Sequence, residues 1–164
     1  MSNESHRALR DVLGQFATGV CLVTVRSEAG RALALTVNSF AAVSLDPPLV
    51  LWSLQNDSEL YAEFAGARRY AINVLASAQE EHSSRYAMKG GHELDPAHFA
   101  WGRNGAPAVR DALAVFECSL EASYPGGDHV ILVGRVTHFD GSAGGEPLLF
   151  FGGAYRRLGG SEPA

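Results

Sequence analysis

Apolar positions recur with two different periods along the chain. Leu9, Val12, Leu13 and Phe16 fall at i, i+3, i+4 and i+7, which predicts an amphipathic helix over 5–18, stopped by Gly19. The pattern then turns to strands. Val20 to Val25 is a continuous apolar run, as expected of a strand covered on both faces. A turn at Ser27-Glu28-Ala29-Gly30 returns it into a hairpin partner, Ala32 to Val37, which Phe40 to Val43 extends. Pro47-Pro48 fixes an extended entry to a strand over Leu49–Leu54, and Tyr70 to Leu75 forms another. From Val115 to Tyr124 the chain alternates. Phe116, Cys118, Leu120, Ala122 and Tyr124 face one way; Glu117, Ser119, Glu121 and Ser123 face the other, a wet side. A turn at Pro125-Gly126-Gly127-Asp128 leads into a long strand from His129 to Phe139. Pro147 to Phe151 is the last strand, ending in a Gly152-Gly153 turn before Tyr155.

Helices punctuate these strands. Asn56-Asp57-Ser58 carries turn and cap chemistry for a short helix bearing Leu60, Tyr61 and Phe64. Ser77 and Glu80 read as a capping box for a helix reaching Met88, and Asp95-Pro96 as the start of a further short helix. The remainder of 89–110, with Gly90-Gly91, Gly102, Gly105 and Pro107, reads as an excursion from the core. Six or more strands in antiparallel-friendly order predict a mainly β fold with added helices, a small closed barrel. A Rossmann sheet would need regular strand–helix alternation, which the C-terminal third lacks. No G-x-G-x-x-G follows a strand and no Walker A loop is present.

Composition narrows the class. The 164 residues suit a single domain, 1–164, large enough to bury a core without metal or disulfide staples. Hydrophobic residues at 46% and charged residues at 19% exclude a disordered tail protein. A net charge of −5, with no basic run longer than Arg68-Arg69 or Arg156-Arg157, argues against a general nucleic-acid binder. The N-terminal segment lacks an apolar signal core and no stretch approaches a membrane span, so a cytoplasmic location without membrane contact is expected. Cys21 and Cys118 lie in strand-like apolar segments and read as buried thiols.

The candidate chemistry is sparse. Thr36, Asn38 and Ser39 interrupt an otherwise apolar stretch. They suit either a satisfied turn or a rim of donors and acceptors facing a polar planar ligand. Ser53 and Ser58 flank a strand end and a helix start, where free N–H groups can cap the helix or meet an anion. No G-x-S-x-G marks a hydrolase. His92 and His98 lack a third ligand at metal spacing, so no metal site is expected. His129, after the Gly-Gly-Asp turn, lies at the mouth of the fold, either as a turn residue or as a site residue. Tyr155 could place a phenol at the same rim.

Taken in order, these pieces resemble the flavin reductase-like family, the small reductase components of two-component flavin monooxygenases. Phe16-Ala17-Thr18-Gly19-Val20 with Val23-Thr24 is similar to its opening signature. Thr36-Val37-Asn38-Ser39-Phe40 followed by Val43-Ser44-Leu45-Asp46-Pro47-Pro48-Leu49-Val50 is the most specific run. Tyr70 to Leu75, Ser84-Arg85-Tyr86-Ala87, Gly127-Asp128-His129 and Tyr155-Arg156-Arg157-Leu158 extend the likeness over about 10–158.

The resemblance implies a split β-barrel of the FMN-binding type and a homodimer. It implies hydride transfer from NADH, with NADPH possible, to FMN or FAD, and delivery of reduced flavin to a separate flavin-dependent oxygenase. It places Thr36, Val37, Asn38 and Ser39 against the flavin, and Ser53 and Ser58 at the ring edge and phosphate. Backbone at Ala71 and Asn73 would lie near the ring, Arg85 on the phosphate side and Tyr155 at the rim. His129 would be the catalytic residue beside the nicotinamide. Ala34, where many relatives carry glycine, and the loop 89–108 depart from the pattern. A flavin-binding protein with another acceptor, or one that senses or stores the cofactor, is the alternative.

Overall fold

The two periods of the sequence resolve, among the described residues, into one large sheet, two small sheets and three α-helices. The computed structural model describes residues 3–141 and 144–159. In chain order the elements are α1 (Asn3–Leu13), β1 (Thr18–Gly19), β2 (Cys21–Arg26), β3 (Ala32–Val37), β4 (Ala41–Leu45) and β5 (Pro48–Gln55). Then come α2 (Tyr61–Ala65), β6 (Arg69–Val74), α3 (Glu80–Ala87), β7 (Phe99–Trp101) and β8 (Pro107–Val109). The chain ends in β9 (Ala114–Gly126), β10 (His129–Gly141), β11 (Leu149–Phe151) and β12 (Ala154–Arg156). Seven strands form an antiparallel sheet in the order β3-β2-β6-β9-β10-β5-β4. β1-β11-β12 form the three-stranded small sheet, and β7 and β8 the two-stranded one.

The mainly β architecture with helices is as expected, but the closed or split barrel is not formed. The edge strands β3 and β4 share no ladder, so the large sheet is open. The β3 edge is occupied by another segment. Ala34 N–H donates to His92 O at 2.8 Å, Leu94 N–H donates to Ala32 O at 2.8 Å, and Leu33 bridges Glu93. Those bonds consume the backbone groups that closure would need over this stretch. The same contacts correct the reading of 89–110 as an excursion. His92, Leu94, Ala106 and Val109 are buried, and Leu94 and Val109 belong to a core cluster with Leu22 and Tyr86.

The core lies on both faces of β2, as its continuous apolar run predicts. Cys21, Val23 and Val25 join one cluster, around Trp52, Phe64, Tyr70 and Leu132. Val20 and Leu22 join the other. Gly134 is required by close approach: a Cβ there would lie 2.1 Å from the Tyr70 hydroxyl. Both cysteines are free and buried, and burial pushes each thiol up to about 12.

Three local expectations are corrected. The first helix ends at Leu13 rather than near 18, and none of its residues is buried, so Leu9, Val12 and Leu13 stay exposed, with Phe16 beyond them. The cap ahead of α3 is not Ser77 with Glu80: the Gln79 side chain accepts from Ala76 N–H at 3.0 Å. The wet face of β9 is interrupted at Glu117, which is buried because its carboxylate accepts N–H groups from Arg103 at 3.0 Å and Asn104 at 2.5 Å. Among the described residues no helix is long and apolar enough to cross a membrane.

Candidate functional site

The run 36–39 leaves the end of β3, and its hydroxyls fasten it in two directions. Thr36 Oγ1 donates to the Ser83 carbonyl on α3 at 2.7 Å. Ser83 Oγ in turn lies 2.7 Å from the Tyr155 hydroxyl on β12. At the other end Ser39 Oγ accepts the Ser53 N–H at 2.9 Å and lies 3.3 Å from the Ser53 carbonyl, to which it donates. The run therefore joins α3 and β12 at one end and β5 at the other, forming a rim of neutral donors and acceptors in which Ser83 is buried and Thr36, Ser39, Ser53 and Tyr155 are half-buried. Val37 packs against the main core from this run, whereas Asn38 is exposed and its amide has no hydrogen-bond partner among the described residues.

Thr18 belongs to the same neighbourhood. It pairs with Phe150, and Phe150 pairs with Tyr155, so all three side chains share one row on one face of the small sheet. Thr18 Oγ1 is buried with no hydrogen-bond partner among the described residues. Leaving such a hydroxyl unpaired costs on the order of 1–3 kcal/mol. Neither Thr18 nor Ser83 was assigned a role from sequence. Ser83 carried a signal: it stands three positions before Tyr86 and so shares the inward helix face with a buried aromatic.

His129 opens β10. It is registered against Gln55, while Ile131 is registered against Ser53. His129 therefore shares a sheet face with Ser53, about 7 Å away along the strand. Gly127, at φ +76°, makes the tight turn ahead of it. Asn56 N–H donates to Asp128 O at 3.0 Å and Asn56 Nδ2 to Gly127 O at 3.1 Å, which ties the turn to the end of β5. His129 Nδ1 lies 2.7 Å from Asp128 Oδ1, and that hydrogen bond holds the Asp128 carboxyl below its ordinary range. A carboxylate partner makes Nδ1 the donor and leaves Nε2 as the outward nitrogen. The ring lines a cleft of about 350 Å³ with Asn56, Tyr61 and Tyr124.

The remaining sequence candidates lie elsewhere. Ala71 and Asn73 are fully buried in β6, which is laddered on both sides, so neither reaches the rim. Asn73 instead braces the interior: Nδ2 donates to Leu22 O at 2.9 Å and to Thr24 Oγ1 at 3.1 Å, while Oδ1 accepts Val109 N–H at 2.8 Å. Arg85 points to Asp95 at 3.4 Å and lies 5.4 Å from the Tyr86 ring. Ser58 Oγ accepts Leu60 N–H at 3.4 Å at the turn into α2. The adjacent Glu59 latches the segment after α3, accepting from Gly90 N–H at 2.6 Å and lying 2.6 Å from His92 Nε2.

Comparison with known proteins places this arrangement in a class. Residues 13–159 match the flavin reductase-like domain, and the chain belongs to that family. It is 42% identical over 158 residues to the FMN reductase (NADH) SmoA of Agrobacterium fabrum, covering 94% of this chain and 87% of that protein. It is 45% identical over 136 residues to a probable flavin reductase of Rhizobium meliloti, covering 83% of this chain but only 44% of that protein's length. In structure it is similar to the NADH:FAD oxidoreductase SgcE6 of Streptomyces globisporus, solved with NAD and FAD fragments. The TM-score is 0.91 and the identity 33%, with 99% of this chain and 98% of that one covered.

Proposed function

We propose that this chain is an NAD(P)H-dependent flavin reductase whose rim of 36–39, Ser53, Ser83 and Tyr155 holds FMN or FAD, with the nicotinamide entering beside His129. The observation that carries this reading is the rim itself. It gathers neutral hydroxyls and amides from four segments, includes the unspent Thr18 hydroxyl, and none of its side chains is a carboxylate. Such a donor set fits a planar ring edged with alternating nitrogens and carbonyls, and it does not repel electron density placed there. The curated relatives support the same reading. Among them are the reductase component of a flavin-dependent trigonelline monooxygenase and the reductase subunit HsaB of a flavin-dependent monooxygenase. The reduced flavin accordingly passes to a separate flavin-dependent monooxygenase.

When bound, flavin supplies the hydride acceptor and reduced nicotinamide the donor. The chain's own part is orientation, because hydride transfer needs contact distance and alignment rather than a strong base. Thr36 and Ser39 anchor the run that faces the ring, and Asn38 is the free amide within it. Ser83 and Tyr155 wall the opposite side. Ser58 keeps its hydroxyl proton for an anion, its oxygen lone pair already meeting Leu60 N–H. Arg85 would serve a phosphate only on leaving Asp95. His129, its ring set by Asp128, presents Nε2 to orient the nicotinamide and accepts no hydride. NADH is the proposed donor, with NADPH the alternative.

A homodimer accompanies this function. Leu9, Val12, Leu13 and Phe16 form an uncovered apolar stripe, and Val43, Leu45, Phe139 and Phe151 are also exposed. A second copy would cover them. Reduced, free thiols at Cys21 and Cys118 accord with a cytoplasmic site of action.

Anaerobic stopped-flow mixing tests the reading. Protein with FMN or FAD is mixed with NADH or NADPH while the absorbance of oxidised flavin is followed. Rapid bleaching with at least one pair is expected. No bleaching with any pair, despite bound flavin, would overturn it.

A further inference from the structure

A second concavity lies away from the rim. It is a cleft of about 890 Å³ lined by the β2–β3 turn, the α2–β6 connection and the 102–106 turn. It lies at the far end of the β2–β3 hairpin from Thr36–Ser39. Five arginines line it, Arg26, Arg31, Arg68, Arg69 and Arg103, against two carboxylates, Glu28 and Glu63. We infer that this cleft is a second ligand site, separate from the flavin rim, that takes a small polyanion bearing a phosphate or diphosphate group.

Charge comes first. In a chain of net charge −5, five guanidiniums around one concavity concentrate positive potential there, which draws a small anion. Arg26, Arg68, Arg69 and Arg103 have no carboxylate within ion-pair distance among the described residues, and Arg31 only approaches Glu93 at 3.9 Å. Their positive charge is unspent.

Rigidity comes second. The Arg26 guanidinium lies 5.0 Å from the centre of the Trp101 ring. The turn bearing Arg103 is bolted from beneath. The buried Glu117 carboxylate accepts the Arg103 and Asn104 N–H groups, and Asn104 Nδ2 donates to Tyr70 O at 3.1 Å and Cys118 O at 3.3 Å. A carbon at Gly102 would meet that carboxylate at 2.9 Å, so the turn is seated closely on it. A buried carboxylate is thus committed to holding an arginine-bearing turn over the cleft.

Shape and chemistry decide the ligand. The volume falls within the range of small-molecule sites, about 300–1,000 Å³. Guanidinium forks match phosphate oxygens two at a time. The two glutamates in the wall would oppose a long acidic protein segment but leave room for a compact anion.

Calorimetric titration of the full chain with inorganic pyrophosphate tests the inference, first without flavin and then with FMN saturating. Saturable binding near one equivalent per chain, unchanged by FMN, is expected. The Arg68→Ala, Arg103→Ala double variant should bind about a hundredfold more weakly, roughly tenfold per guanidinium. Its flavin reduction by NADH should stay within about twofold of the parent, since hydride transfer rests on groups at the rim. Arg69→Ala alone is the second variant should the double one not fold. A parallel titration with adenosine diphosphate separates sources. Tighter binding than pyrophosphate identifies a nucleotide, and equal binding identifies the phosphate group alone. No saturable heat, binding abolished by FMN, or equal binding in parent and variants would overturn the inference. The readout is heat without flavin, so its failure is distinguishable from failure of the reductase reading.

Discussion

Two polar clusters flank Leu22, against which Thr36 and Asn73 are both registered, and they have opposite characters. Inside the sheet, Asn73 and Thr24 are both fully buried. Asn73 makes three hydrogen bonds, and Thr24 Oγ1 accepts one of them while donating to Pro107 O at 2.5 Å. At the rim, Thr36 and Tyr155 are half-buried and joined through the buried Ser83, Ser39 is joined to Ser53, and among the described residues Asn38 is unpartnered and Thr18 Oγ1 is buried and unpaired. Both clusters are Asn, Thr and Ser set among apolar residues. The difference is whether hydrogen-bonding capacity is exhausted within the fold. An exhausted cluster is a structural brace; one with capacity to spare is available to a ligand.

The largest effect should come from breaking the brace. Asn73→Leu leaves Val109 N–H and the Leu22 carbonyl without their side-chain partner in a dry interior. It should cost about 3 kcal/mol or more, read as a lower denaturation midpoint in urea. Flavin affinity per folded molecule should be nearly unchanged, because Asn73 does not reach the rim. A variant of parental stability that lost flavin binding would reverse the assignment of the two clusters.

The rim should behave the other way. Tyr155→Phe removes one hydroxyl from Ser83, a stability cost of about 1 kcal/mol or less. It should weaken flavin binding about tenfold, as loss of an oriented hydrogen-bonding wall would. Equilibrium titration of flavin fluorescence and a melting curve on the same sample separate the two quantities. A loss of stability as large as that of Asn73→Leu, with flavin affinity intact, would make the rim another brace.

Much of this division was legible in the sequence. The run Thr36 to Ser39 stood out because three hydrogen-bonding residues interrupt apolar strands, and the structure does make it a meeting point. The resemblance of strand 70–75 to the family pattern puts the backbone of Ala71 and Asn73 near the ring. Sequence does not say which strand is central, and β6 is laddered on both edges. Thr18 and Ser83 went unassigned because their meaning depends on a row across the small sheet and on one helix face. The barrel was expected from strand count and order, whereas closure depends on what occupies the β3 edge. That occupant, His92 to Leu94, lies in the glycine-rich stretch that composition marks as peripheral. The arginine cleft was invisible for a similar reason: its five guanidiniums are scattered between positions 26 and 103 and only the topology gathers them.

A smaller effect is expected at the edge of the rim. His129→Ala removes the ring that Asp128 orients but no group that fastens 36–39. The KM for NADH should rise a few-fold, a loss of about 1 kcal/mol in binding, with flavin affinity and stability close to the parent's. Unchanged steady-state kinetics would remove His129 from the site and leave it as a turn residue.

The smallest effect sharpens the comparison from behind the rim, on α3, where His82 precedes Ser83. His82 stacks on His98, ring centroids 3.9 Å apart, and His98 Nδ1 lies 2.8 Å from the Tyr86 hydroxyl. Burial, then the neighbouring His98 and Arg85, holds His82 below the ordinary imidazole value of 6.5, with Glu81 and Asp111 opposing. The unfolded chain therefore takes up this proton first as pH falls. Stability is fully present above 6.5 and declines as pH drops through the depressed value. The carboxyls of Glu59, Asp95, Glu121 and Asp128, all held low, lose their contributions only in the more acid range. Melting midpoints from about pH 7 to about pH 5, compared between parent and variant, therefore isolate the His82 contribution as a difference. His82→Gln should flatten the slope in that window while leaving flavin affinity at neutral pH intact. A parental slope in the variant would show that α3 is held by its inward face, Ser83 and Tyr86, with no contribution from the imidazole stack.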